Sequence, residues 1–471
     1  MRPAALFALF ALACAPKVPP SPADAALAAR PTPGAPPVYT PPVPVTFRLS
    51  NGLEVWLMED GRLPLVDLVL LVPGGAALDP ADEPGLTALA DALLVEGAGG
   101  RDSSAFAEAL ESQALALESG TTGQWSTLAL AAPSAGLDAG LDLLADAVLR
   151  PAFADADISR VREQMRMDAL QRTDDPRTVA RLVARRTWWG PGHPLAHPTT
   201  GTAEALAAVD PAAVRASWAT RASPQGSTLV VVGNVGREAL TASLEARFGG
   251  WTTPPPARPA LAPPAGVTGG TRGIFVDNPG AAQSVLLVQL PGPRLDQAPV
   301  PFDLAAVALG GTFTSRLNRL LREEKGYTYG ARASLDTGPL MGMLEVFTAV
   351  RGDATAPALT DLLSELRKLP AGVDAAEVRK AQGARQTDAV ESMESRGGAA
   401  WSLAGLVMDG RPPSAFAEDL RAAAATDATA ASAAVAGLSL DQGLIVVVGD
   451  LAQVKGAVEA AVPATWSTEA P

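Results

Sequence analysis

Histidine, cysteine and tyrosine are scarce in this chain: two, one and three among 471 residues. A single cysteine, Cys14, leaves no disulfide framework and no cluster of thiolate metal ligands. The two histidines, His193 and His197, lie in a proline-interrupted segment. The prolines beside them oppose the helical turn that would put both rings on one face, so they read as loop histidines rather than zinc ligands. Positive charge is the minority too. Thirty-seven Lys and Arg against fifty Asp and Glu give a net charge of -13, which repels phosphate backbones, and no basic, aromatic-interleaved run offsets it. Nucleic acid is therefore not an expected partner. No G-x-G-x-x-G or Walker sequence occurs, so Gly233-Asn234-Val235 and Gly449-Asp450-Leu451 read as strand-to-helix turns, not nucleotide loops.

What the chain does have is apolar content, 48% of residues. At this length that supports two or more globular domains. The N-terminus carries an export pattern: Met1-Arg2 is followed by an apolar run from Ala4 to Ala13, too short to span a bilayer, and by Ala11-Leu12-Ala13-Cys14. That tetrapeptide resembles a bacterial lipobox, in which the cysteine is lipidated. An ordinary secretory signal cut nearby is the alternative. Residues 1–14 are thus expected to be a signal peptide, and 15–44, rich in Pro and Ala, a tether. A lipid anchor on Cys14 would hold the protein at a membrane; outer-membrane attachment facing the periplasm is the expectation.

Self-comparison shows a repeat. Val69-Leu70-Leu71-Val72 recurs as Val285-Leu286-Leu287-Val288, and Leu229-Val230-Val231-Val232-Gly233 as Ile445-Val446-Val447-Val448-Gly449, both displaced by the same interval. Between them Val161-Arg162 pairs with Val378-Arg379 at one residue more. The Pro-rich stretch 252–270 falls where a linker between two copies belongs. Two domains of similar fold are expected, at 45–251 and 271–466.

Within each copy, strand-like runs (45–58, 66–72, 124–131 and 228–233 in the first) are interleaved with helical patterns at 105–115, 136–149 and 157–170. Consecutive strands open each copy and helices follow in clusters. This predicts an α+β fold, each domain a mostly antiparallel sheet layered with helices, over a doubly wound parallel sheet.

With these elements in order, the chain resembles the insulinase/pitrilysin family of metallopeptidases, the processing-peptidase branch in particular. The resemblance rests on Phe47-Arg48-Leu49-Ser50-Asn51-Gly52-Leu53-Glu54-Val55, on 79–97, on Asp174-Asp175-Pro176 and on His193-Pro194. The family's helix carries H-x-x-E-H: residues at i and i+4 share one helical face and one ion, and the Glu at i+3 acts as general base. The resemblance puts Ala88 and Ala92 at the histidine positions, Asp91 at the glutamate and Asp168 at the third ligand. Methyl groups bind no zinc, so no cofactor is expected in this chain. The opposite face of the helix, Leu86, Leu89, Ala90, Leu93 and Leu94, keeps the spacing of a core-facing stripe.

The segment most similar to the family is 309–330. There the resemblance implies that Arg322 and Tyr329 reach the zinc centre of the catalytic half and contact the substrate carbonyl. A permanently charged guanidinium and a phenol O–H both suit an oxygen that develops negative charge. Alternatively, Arg322 complements a helix C-terminus and Tyr329 packs within a strand. Together the readings imply the non-zinc subunit of a heterodimeric metallopeptidase, whose partner is a homologous chain with intact H-x-x-E-H that brings the zinc. The substrate would be extended peptide, with an inert scaffold of the same fold as the alternative.

Overall fold

The computed structural model describes residues 39–257 and 260–470. The signal peptide, Cys14 and most of the tether lie outside the described residues. Among those described, the strands form two six-stranded sheets of matching layout. The first holds β1 (Val45–Arg48), β2 (Glu54–Glu59), β3 (Leu65–Pro73), β4 (Ala116–Thr121), β5 (Trp125–Pro133) and β6 (Thr228–Gly233), in the order β1-β2-β6-β3-β5-β4. The second holds β7 (Arg272–Asp277), β8 (Gln283–Gly292), β9 (Thr328–Thr337), β10 (Gly342–Arg351), β11 (Leu444–Gly449) and β12 (Thr465–Glu469), in the order β12-β7-β11-β8-β10-β9.

Most neighbours are antiparallel. In the first sheet only β2 and β6 run parallel. In the second, β7 is parallel to both β11 and β12. The outermost position beside β2 is filled from the N-terminal side by β1, and the one beside β7 from the C-terminal side by β12. The expected strand 45–58 is a hairpin rather than one strand. Leu49–Leu53 turns the chain, with Gly52 at φ +92°, a conformation that favours glycine.

The α+β duplication is present, but the spacing of the repeat is not uniform. Val232 faces Asp67 across the first sheet, and Val448 faces Val285 across the second. The fold therefore equates Asp67, not Val69, with Val285. Counted from their N-caps, Ala154 and Asp374, the helices Asp155–Gln171 and Ala375–Glu394 equate Ile158, not Val161, with Val378. The match of β6 with β11 is in register; the other two found the correct element and slipped along it by about one period, two residues in the strand and three in the helix.

The central strands β6 and β11 are buried at every position. Both faces of each are covered, as near-continuous Val and Leu runs require. One face meets helices of its own half; the other meets a helix lent by the opposite half. The helix Pro176–Trp189 of the first half packs on β8 and β11, and Arg396–Met408 of the second packs on β3 and β6. Val179, Ala180, Val183, Ala184 and Trp188 form a core with Val285, Leu287, Leu444, Val446 and Val448, while Ile445 and Val447 point the other way into the second half's own core. Each fully buried Val or Leu contributes roughly 1.5–3 kcal/mol relative to exposure. The helices expected to layer on their own sheets thus include two that are exchanged.

Candidate functional site

The motif helix runs Leu86–Ala92 and tightens into a 3-10 turn, Leu93–Val95. Its start is fixed by Asp79, whose carboxylate accepts from the Gly85 N–H (2.7 Å) and the Thr87 N–H (2.8 Å). Gly85 itself has φ +101° and lies against Gly201, where a Cβ would meet the Gly201 Cα at 2.7 Å. Burial pushes the Asp79 carboxyl up to about 6, against the pull of those hydrogen bonds. As the spacing predicts, Leu86, Leu89, Ala90, Leu93 and Leu94 all enter the first-half core.

The face that would hold a metal is also sealed. Asp91 is 1% exposed and ion-pairs with Arg221, itself 2% exposed, at the end of the helix Pro211–Arg221. The second carboxylate oxygen of Asp91 accepts from Thr121 Oγ1 on β4 at 2.5 Å. Arg221 also donates to Ser126 Oγ on β5, and its guanidinium lies 4.7 Å from the Trp218 ring centroid. Asp168 lies on the exposed side of Asp155–Gln171 and is not brought to this cluster; its charge acts on Arg172. His193 stacks on Trp189, its Nε2 is 3.1 Å from the Ala262 carbonyl, and its Nδ1 accepts from the Leu195 N–H. Among the described residues no group of three His, Cys, Asp or Glu could hold a metal ion. The donor set here, methyls at 88 and 92 and a carboxylate already neutralised, does not fit zinc.

The second cluster lies in the other half. Arg322 is in the last turn of the π-helical segment Asn318–Glu324 and stacks on the Phe313 ring, 3.7 Å from its centroid, with Glu323 at 3.1 Å. It is the buried Nη1 that makes this ion pair, without the geometry of a hydrogen bond. Tyr329, on β9, is 91% exposed, so the packed-strand alternative does not hold for it. The helix-terminus alternative for Arg322 does describe its position. Tyr329 and Phe313 line one cleft of about 610 Å³, together with Arg177, Arg332 and Phe347; Arg322 does not line it but stacks on Phe313, which does.

Sequence reasoning missed several contributors. Asn318, 5% exposed, donates to the Thr312 and Ala331 carbonyls and accepts from the Ala331 N–H, thereby holding β9 as a strand would. Arg221, Phe313 and Arg177 carry no local signal, because each matters through partners distant in the chain.

The insulinase (peptidase family M16) model matches residues 55–202 and the peptidase M16 inactive-domain model residues 208–384. An uncharacterized zinc protease of Mycobacterium leprae is 27% identical over 267 residues, 55% of this chain and 58% of that protein. The chain thus spans little more than half the length of such a curated relative. Among solved structures, the peptidase M16 inactive domain from Pseudomonas fluorescens superposes with TM-score 0.78 at 23% identity, over 86% of this chain and 97% of that one. The periplasmic protease PqqL from Escherichia coli does so with TM-score 0.71 at 18% identity, over 91% of this chain and 50% of that one. The chain belongs to the insulinase family, peptidase family M16, as a member without the zinc-binding histidines.

Proposed function

We propose that this protein is the non-zinc subunit of a two-chain insulinase-type peptidase, exported and held at a membrane through Cys14, most simply the outer membrane on its periplasmic side. The observation that carries the reading is Tyr329, an aromatic side chain 91% exposed on β9 beside a cleft of about 610 Å³. An exposed phenol costs apolar contact with water and gains nothing within its own chain; it suits a donor aimed at another molecule.

In this arrangement the zinc of the partner, bound by its H-x-x-E-H, would supply Lewis-acid activation of the peptide carbonyl. This chain's part is to donate. The Tyr329 O–H gives one directed hydrogen bond to the carbonyl oxygen, and Arg322, once Phe313 moves aside, adds charge-assisted donors to the same oxygen. The substrate is an extended peptide. β9 is the last strand of its sheet; apart from Ala331, whose N–H and carbonyl are taken by Asn318, its outer edge would pair with such a peptide by strand addition. Arg177, Arg332 and Arg385 line the cleft against one acidic residue, Asp388, so the net acidity of the chain does not extend to it. Equal cleavage of peptides differing only in charge would show that neither sign is selected.

The test is co-purification with a zinc-bearing homologue, followed by Tyr329→Phe and Arg322→Ala. Loss of turnover with intact assembly supports the proposal. Unchanged turnover favours the second reading, an inert scaffold, for which the engagement of Arg322 by Phe313 and Glu323 speaks.

A further inference from the structure

In the motif helix, residues 88, 91 and 92 share one face by helical spacing. The only one of the three that is ionisable, Asp91, has its carboxylate inside the protein, bonded to Arg221 and Thr121. A buried carboxylate needs a compensating cation, and loss of the metal ligands alone would leave it without one. The cation it has comes from the last turn of the helix Pro211–Arg221, where the helix dipole itself favours positive charge. It is held on three sides: by Asp91, by Ser126 Oγ, and by the Trp218 ring one turn earlier in the same helix. Ser126 is 0% exposed, so the guanidinium bridges the motif helix to the floor of the sheet.

We infer that Arg221 is a resident cation standing in for the metal: its guanidinium occupies the face on which the ion would be bound, lets the first half fold without metal and bars one from entering. The inference deepens the reading of this chain as a non-zinc subunit, but it concerns this polypeptide alone and is tested without any partner. Its consequence is that the site is closed twice, once by the missing histidines and once by Arg221. Restoring the histidines is then not enough. A divalent ion placed beside a guanidinium meets like-charge repulsion in a water-excluded site, and Asp91, at the general-base position, is already paired with that guanidinium.

The test uses the full chain and zinc itself as the probe. Two variants are compared by equilibrium dialysis with elemental analysis and by competition against a chromophoric chelator. The first carries Ala88→His, Asp91→Glu, Ala92→His and, at the third-ligand position, Asp168→Glu; the second adds Arg221→Met. The expected result is no stoichiometric zinc in the first and one zinc per chain in the second, bound at least ~100-fold more tightly. Equal affinity in both variants overturns the inference, since Arg221 would then be no barrier. Failure of both to bind overturns it equally, because the missing ligands alone would then exclude the metal. If the second variant is unfolded without metal, refolding upon zinc addition, followed by circular dichroism, counts as binding. If zinc does not refold it, Arg221→Gln replaces Arg221→Met, which keeps hydrogen bonding to Ser126 while removing the charge, and the same two criteria apply.

Discussion

The two halves share a sheet layout and treat their functional faces in opposite ways. In the first, Asp91, Arg221 and Ser126 are 1%, 2% and 0% exposed. In the second, Phe313 and Tyr329 are 63% and 91% exposed. A charge taken out of water must be paired, because desolvated and alone it costs several kcal/mol. A donor intended for another molecule must stay open, whatever that costs in apolar exposure. The contrast is between a closed face beside Ala88 and Ala92 and an open one around Tyr329.

The contrast can be broken most forcefully at the sealed face. Arg221→Met leaves the Asp91 carboxylate buried without compensation, and about 3–5 kcal/mol of stability should be lost in chemical denaturation. Adding Asp91→Leu should recover most of it, since removing both charges is far cheaper than removing one. A double variant as unstable as the single would mean that the pair matters for shape, not charge. On the open face the effect should be functional instead. Tyr329→Phe should leave unfolding within about 0.5 kcal/mol of the parent, while the assembled pair loses on the order of 100-fold in turnover.

Asp79, which starts the motif helix, gives the sealed half a pH dependence. Its folded value of about 6 lies above the ordinary 3.8. The unfolded chain therefore releases this proton first as pH rises. The carboxyl's contribution to stability is complete below about pH 4 and is lost as pH rises through about 6, a decline of about 2–3 kcal/mol. Melting curves from pH 4 to 7 should show this decline in the parent and a smaller one in Asp79→Asn, where Asp67, Asp336 and Asp409, also pushed up by burial, remain. The smallest effect is expected at Phe313. Phe313→Ala removes one cation–π contact, worth about 1 kcal/mol at a partly exposed site, and frees Arg322 toward the cleft. Turnover that rises or holds would sharpen the view that Phe313 gates the arginine; a fall as large as that of Arg322→Ala would make it part of the donor set.

Much of the scaffold was legible from the residues because apolar runs report burial. β6 begins and ends where Thr228–Gly233 predicts, and the inner stripe of the motif helix meets the core. Burial alone does not say against what. Val179, Ala180 and Val183 announce an apolar helix face, yet nothing local reveals that the sheet beneath it belongs to the other half. Two of the three repeat matches slipped by one period for the same reason, since a strand shifted by two residues keeps its faces. At the site, the absence of metal ligands was readable from Ala88 and Ala92. The fate of Asp91 was not, because its partner Arg221 stands 130 positions away. Asp168, placed by counting along the chain, proves to be on the exposed side of its helix.

The exchanged helices give the molecule the character of a clasp. Residues 252–257 and 260–270 contain no helix or strand and are the one covalent link between the two sheets. A cut there would not release two particles. Each fragment would still hold a helix buried in the other, Pro176–Trp189 beneath β8 and β11, Arg396–Met408 beneath β3 and β6. Neither half, made alone, has its own cover for its central strand. For this protein the unit that folds is the pair, and the chain between them sets the order in which they are made rather than the bond that keeps them together.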